Sequence, residues 1–238
     1  MQMGGCAECF KIKIGKKWLV LVKNMKFSSQ NKILLQKESL IQKSALEAAP
    51  YLLGKIIETR NENQQTSGII IEAEAYCGIT DRACHAYGNR RTPRTEAMYM
   101  EGGHVYIYLC YGMYDLLNIV VNEKDVPEAV LIRAIYPYVG LDLILKRRKA
   151  NRWNRNLLNG PGKVTRALNI GREMNASKLG EYINLYDVGI NFNPKDIMTG
   201  PRIGVDYAGE DAKLPYRFWV ELSILERQLE RINKSPFK

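Results

Sequence analysis

The stretch 68–76, GIIIEAEAY, constrains the fold more than any other part of the chain. It opens as an apolar run and turns to strict alternation, and a β-strand sends successive side chains to opposite faces. Glu72, Glu74 and Tyr76 are therefore predicted on one face, with Ala73 and Ala75 on the other. Burying a glutamate in such a strand is costly unless it is paired or working. For an isolated glutamate the ordinary explanation is an exposed strand face or a bridge to an arginine. Two carboxylates two residues apart also allow a pair whose repulsion raises one pKa.

Residues 104–108, 116–121 and 129–136 read as further strands, rich in Val, Ile and Tyr. Between the first two, CYGMYD (110–115) centres on Gly112 and predicts a tight turn, hence a hairpin with tyrosines at its tip. From about Glu38 the pattern SLIQKSALEAAPYLLGKII looks helical, with Pro50 marking a kink or boundary. Residues 141–149 and 163–168 also look helical, the second entered through Gly160, Pro161 and Gly162. Residues 201–207 and 216–221 read as strands and 223–232 as an amphipathic helix. Strands predominate without βαβ alternation. The expected fold class is α+β: one domain with a curved, largely antiparallel sheet, flanking helices and a protruding tyrosine-bearing hairpin.

Residues 1–40 are Lys-rich with weak periodicity and read as an amino-terminal extension that need not belong to the fold, leaving 41–238 as the domain. Met25 follows the leader GKKWLVLVKN, so the first 24 residues read as an extension or an upstream start. The apolar stretch 18–22 is too short and too Lys-flanked for a secretory signal, and no apolar run approaches the roughly 20 residues of a membrane helix. Five cysteines, an odd number, suit a reducing compartment. An intracellular protein is expected. Cys6 and Cys9 form a lone C-x-x-C without a second pair at metal-ligand spacing, so no metal is expected.

The net charge of +10 favours a polyanionic partner. Six of the ten residues in KRRKANRWNR (146–155) are basic, and Arg82, Arg90, Arg91 and Arg94 crowd a second segment. Either could grip phosphates, although most charge runs are solvated surface. Around the carboxylates the company is aromatic: Tyr76 on the same strand face, His85 nine residues on, and Tyr106, Tyr108, Tyr111 and Tyr114 in the hairpin. Such a set would stack a flat substrate beside a carboxylate.

Six segments carry a further signal: EAEAY (72–76), DRACHAYGNRRTPR (81–94), HVYIYLCYGMYDLLNIV (104–120), LIRAIYP (131–137), NGPGKVTRAL (159–168) and PRIGVDYAG (201–209). Together, in this order, they resemble the alkyladenine (3-methyladenine) DNA glycosylase family over roughly residues 45–220. The resemblance implies a base excision repair enzyme. Such an enzyme flips alkylated or deaminated purines out of double-stranded DNA and hydrolyses the N-glycosidic bond, leaving an abasic site. Under it Glu74 matches the general base that activates water. Tyr76, His85 and Tyr108 match the walls that stack on the flipped base, and Asn118 the pocket floor that crowds the amine of normal guanine. Tyr111 matches the side chain that wedges into the minor groove, and Arg133 a group near the water and the adjacent phosphate. Ala73 stands where the family often has threonine, on the face turned away from Glu74.

A lyase would need a lysine of lowered pKa at the site, and none lies between Gly68 and Asn122, so hydrolysis without strand cleavage is expected. No cofactor motif competes: GPGK lacks the flanking residues of a P-loop, and neither histidine sits in the H-x-E of zinc deaminases. The expected protein is a monomer in cytoplasm and nucleoid of a prokaryote, or in the nucleus otherwise. Two other classes remain open on the residues alone. One is a non-catalytic nucleic-acid binder using the basic segments and the tyrosine hairpin. The other is a glycoside or nucleoside hydrolase using Glu72 and Glu74 as its acid and base.

Overall fold

The computed structural model describes residues 32–61 and 64–234. The C-x-x-C at Cys6 and Cys9, the stretch 18–22 and Met25 lie outside the described residues. Among the described residues nine strands form one sheet, and every pairing in it is antiparallel. They are β1 (Ile33–Leu34), β2 (Ile56–Asn61), β3 (Gln64–Tyr76), β4 (Val105–Cys110), β5 (Tyr114–Val121), β6 (Glu128–Val139), β7 (Ile183–Asp187), β8 (Met198–Gly200) and β9 (Arg217–Trp219). The helices are α1 (Glu38–Ile41), α2 (Ala45–Leu52), α3 (Leu141–Arg147), α4 (Pro161–Leu168) and α5 (Leu222–Lys234). The order along the sheet is β1-β7-β2-β3-β6-β5-β4, with β9 against β3 and β8 against β9. The α+β class with flanking helices holds. No helix among the described residues is long and apolar enough to cross a membrane.

The helices form where local chemistry supports them. Ser44 caps α2, accepting from the Glu47 amide while the Glu47 carboxylate returns to the Ser44 amide. This reciprocal pair satisfies donors the first turn leaves open. Ala45, Ala48, Ala49 and Leu52 then recur at helical spacing and are all buried. Pro50 sits inside α2 without ending it. The helix ends at Leu52 and the chain runs directly into β2, so GKII belongs to the approach and start of a strand rather than to a helix.

β3 is the axis of the molecule. Its first half pairs with β2, its second half with β9, and β6 runs along its other edge. The register against β6 shifts around Glu72, marking a β-bulge. That bulge changes the parity of the strand. Ile70 and Ala73, three apart, both enter the main core beneath α2 and α4, whereas Ile69 faces a second core with Tyr136 and with Leu225 and Leu229 of α5. An extra residue in one strand re-aims the side chains beyond it, and here it turns Glu74 and Tyr76 away from the main core.

Two expectations need correction. The boundary at residue 40 lies too late, because Ile33 and Leu34 pair with Asp187 and Tyr186, and Leu35 and Leu40 are buried in the main core. Apolar anchoring of so short a segment depends on neighbours distant in sequence, which periodicity cannot reveal. Residues 201–207 are not a strand. The strand is β8, just before them, and the chain then crosses the sheet face as a loop leading to a 3-10 segment, Asp206–Lys213.

Candidate active site

One row of the sheet runs beneath a cavity, its Leu131, Asn118 and Tyr106 lining the floor and its Glu74 lying just behind them. Glu74 lies opposite Leu131, Leu131 opposite Asn118, and Asn118 opposite Tyr106, so four strands send these side chains to one face. Two residues along β4 and β3, on the same face, stand Tyr108 and Tyr76. The cavity over this row measures about 490 Å³, inside the roughly 300–1,000 Å³ of small-molecule pockets. Tyr76, His85, Tyr108, Tyr111, Asn118 and Arg133 all line it.

The aromatic wall is fixed by internal contacts. Tyr106 and Tyr108 stack with centroids 5.4 Å apart, and His85 meets Tyr108 edge-on at 4.6 Å. His85 Nδ1 and the Tyr106 hydroxyl share a hydrogen bond of 2.8 Å. Burial, with Arg94 and Arg90 nearby, pushes the His85 imidazole down to about 4, so it is neutral at physiological pH. Burial also raises the phenols of Tyr106, to about 12, and of Tyr108. On the floor, Asn118 donates from Nδ2 to the Tyr106 carbonyl at 3.1 Å and is held in one orientation.

Glu74 lies one layer behind this wall and is fully buried. Its Oε1 accepts the Ile203 amide at 2.8 Å. Its Oε2 accepts the Tyr76 hydroxyl at 3.1 Å and lies 3.2 Å from Arg133 Nη1. All three partners line the cavity. With one donor on Oε1 and two groups at Oε2, the carboxylate retains an accepting position on Oε1 for a further donor such as water. Burial raises the Glu74 pKa above the ordinary carboxylate value, and Arg133, the Ile203 amide and Tyr76 each pull against it without cancelling it. Glu72 does not pair with Glu74. Its Oε1 accepts from Arg133 Nε at 3.3 Å and Arg217 Nη1 at 3.1 Å, completing a network of two carboxylates and two guanidinium groups.

The hairpin β4–β5 carries Tyr111 to its tip, 83% exposed, with Met113 beside it. Met113 N donates to Cys110 O, and both central residues have positive φ, Tyr111 at 48° and Gly112 at 68°. Both central residues of the hydrogen-bonded turn 110–113 thus lie in the left-handed region, and Met113 completes a three-residue loop between β4 and β5. Glycine takes that backbone freely, whereas a bulky residue there is strained. The base of the hairpin is braced by α4: a Cβ on Gly162 would lie 2.8 Å from the Tyr114 ring, and Thr165 Oγ1 donates to Asp115 O at 2.7 Å. Pro161, in the first turn of α4, borders the cavity.

The two basic segments differ. Arg94 borders the cavity, over the face of Tyr108 at 5.5 Å. In the run 146–155, Arg147 and Arg148 donate to the carbonyls of Ala167 and Leu157, while Lys146, Lys149, Arg152 and Arg155 are exposed. The structure also adds groups that the strand reading missed. The loop after β8 supplies the Ile203 amide, and Tyr207, 70% exposed, stands at the cavity with its hydroxyl donated to the Ala83 carbonyl at 3.0 Å. Their signal was the PRIGVDYAG segment itself, whose Ile203, Gly204, Val205 and Tyr207 line the cavity from the loop and the start of the 3-10 segment rather than from a strand.

The model of the family described as Methylpurine-DNA glycosylase matches residues 39–223. A relative from Chlamydia abortus, bearing the name "Putative 3-methyladenine DNA glycosylase", is 45% identical over 194 residues, 79% of this chain and 99% of its own. A second of the same name, from Bacillus subtilis, is 48% identical over 181 residues, 75% of this chain and 89% of its own. The matched span holds the cross-strand row, the hairpin and the loop on Glu74, and on both measures the chain belongs to the methylpurine-DNA glycosylase family.

Proposed function

We propose that the protein removes alkylated or deaminated purines from duplex DNA by water attack, with Glu74 as the general base. As a member of its family it is a DNA repair glycosylase, a monofunctional DNA-3-methyladenine glycosylase. The reading of the site rests above all on one observation. A fully buried carboxylate stands one side chain behind an aromatic cavity, and every group that holds it also lines that cavity.

The physics of each part fits a step of the reaction. Extruding a base costs a few kcal/mol, less for a damaged base, and an exposed wedge such as Tyr111 fills the gap left in the stack. The strain at Tyr111 is characteristic of residues held for a task rather than for stability. Tyr76, Tyr108 and His85 present ring surface to the extruded purine. Asn118, fixed on the floor, crowds the amine of normal guanine. A water between the sugar and Glu74 gives its proton to the carboxylate as its oxygen bonds to the anomeric carbon, and the purine leaves with the glycosidic electron pair. A raised pKa makes the ionised form of Glu74 a stronger base than an ordinary carboxylate. Arg133 keeps the carboxylate anionic and stands close to the incoming backbone phosphate.

An N-alkylated purine is cationic and leaves without a proton. A neutral lesion needs hydrogen bonding to the departing ring, and the groups on hand are neutral: His85, Tyr106 and the backbone of 83–85. The enzyme works on duplex DNA inside the cell as a monomer.

The test uses duplexes bearing one methylated purine or one hypoxanthine. Wild type releases the free base and leaves both strands intact until alkali is added. Glu74→Gln binds the same duplexes and releases base at a rate lower by about 10²–10⁴. Strand cleavage without alkali, or full turnover in Glu74→Gln, overturns the proposal.

A further inference from the structure

The loop that reaches Glu74 is tied down by a buried ion pair which the catalytic scheme does not use. Arg202 immediately precedes Ile203, whose amide sits on Glu74. The Arg202 and Asp81 side chains are 0% and 2% exposed. They meet through two parallel hydrogen bonds, Nη1 to Oδ2 and Nη2 to Oδ1, the latter at 2.8 Å. Each partner fastens another part of the wall. Arg202 Nη1 also donates to Ala75 O at 2.9 Å, and its guanidinium lies over the Tyr76 ring at 4.9 Å and the Tyr216 ring at 5.2 Å. Asp81 accepts the amides of Cys77 and Ala83 at 3.0 Å each, fixing the turn that leads to His85.

Three separate walls thus converge on one pair: the end of β3, the segment that carries His85, and the loop that carries Ile203. A buried ion pair contributes little net stability compared with apolar side chains of equal volume. What it does supply is geometry, because a planar guanidinium matched to a carboxylate admits few orientations. We propose that Arg202, held by Asp81, is a positioning residue that keeps the Ile203 amide and the Tyr76 hydroxyl on Glu74. The inference rests on Glu74 acting as the base.

The groups facing Glu74 define what should change. Arg133 faces it from β6, Glu72 and Tyr76 from its own strand, Tyr108 from β4, and Arg217 from β9 acts on it through Glu72. None of these is removed when Arg202 is altered. The Ile203 amide holds the ionised form of Glu74, so loosening its loop raises the Glu74 pKa and moves the acid limb of the rate profile to higher pH.

The experiment compares wild type, Arg202→Lys, Asp81→Asn and Glu74→Gln in single-turnover base release from a duplex carrying one methylated purine, across pH. Binding to a duplex with a tetrahydrofuran abasic analogue and thermal melting are measured alongside. Arg202→Lys and Asp81→Asn are expected to bind within about threefold of wild type and to release base about 10–100-fold more slowly. Their acid limbs move to higher pH by about half a unit or more. A rate loss with an unmoved limb makes the pair merely structural, and wild-type rates in both variants remove the assignment altogether. If Arg202→Lys does not fold, Asp81→Asn reads the same pair from its other side. Full turnover in Glu74→Gln overturns the base and Arg202's role with it. An inactive Glu74→Gln beside unaffected Arg202→Lys and Asp81→Asn overturns the positioning role alone.

Discussion

The two faces of β3 between Glu72 and Tyr76 are built by opposite rules. On one, Ala73 and Ala75 are covered by the main core, beside Ile132 and Leu117 and beneath α2 and α4. Every group there is apolar, and burial itself stabilises it. On the other, Glu72, Glu74, Arg133 and Arg217 form a charged network at the back of an aromatic cavity. Burying those charges is costly, and the network offsets the cost only while every member is present. The contrast separates the part of the sheet that holds the fold together from the part proposed to carry the chemistry.

Arg133→Met attacks the costly face where it is most exposed to loss. It leaves Glu74 buried without its counter-charge and is expected to lower unfolding free energy by about 3–5 kcal/mol, read from the urea midpoint. A cost below about 1 kcal/mol would mean the charges are already well solvated. Ile132→Ala strikes the other face one residue away. Its cavity should cost about 2–4 kcal/mol, while base release per folded molecule stays at the wild-type rate. A matching fall in turnover would show that the faces are not separable.

Tyr111→Gly tests the same contrast at the hairpin. Removing a bulky side chain from a left-handed backbone is expected to stabilise the protein by about 1 kcal/mol, seen as a higher melting temperature. The same change weakens retention of a flipped base, so stability and lesion binding move in opposite directions. If both fall, Tyr111 is a packing residue. The smallest effect concerns His85, whose ring should stay neutral through physiological pH and titrate at about 4 when followed by NMR. An imidazole titrating near 6.5 would place it in water rather than in the wall.

The apolar-then-alternating pattern at 68–76 made the central strand legible, and the tyrosines around Gly112 made the hairpin legible, because both are local patterns. β2 was hidden because Ile56 and Ile57 prolong the apolar pattern of the preceding helix across Gly54, whose left-handed backbone ends it, and β1 because a two-residue strand has no periodicity. The bulge near Glu72 has no sequence signature either, although it decides which face Glu74 occupies. For the site, EAEAY and the tyrosines pointed to a carboxylate among aromatic rings. The partners of Glu74 were not visible, since Ile203 lies 129 residues away and approaches through its backbone. Asp81 and Arg202 lie 121 residues apart, and nothing local in either segment announces the other.

The most direct measurement is the single-turnover rate of base release from a duplex carrying one methylated purine, tracked from acid to neutral pH in wild type and Glu74→Gln. Glu74 must be ionised to accept a proton, so the wild-type rate falls as pH drops through its pKa. Burial places that midpoint above the ordinary carboxylate range. Glu74→Gln should bind lesion DNA as wild type does, with a rate about 10²–10⁴ lower and no acid limb. A wild-type limb at or below the ordinary carboxylate value, or a limb that survives in Glu74→Gln, would contradict Glu74 as the base.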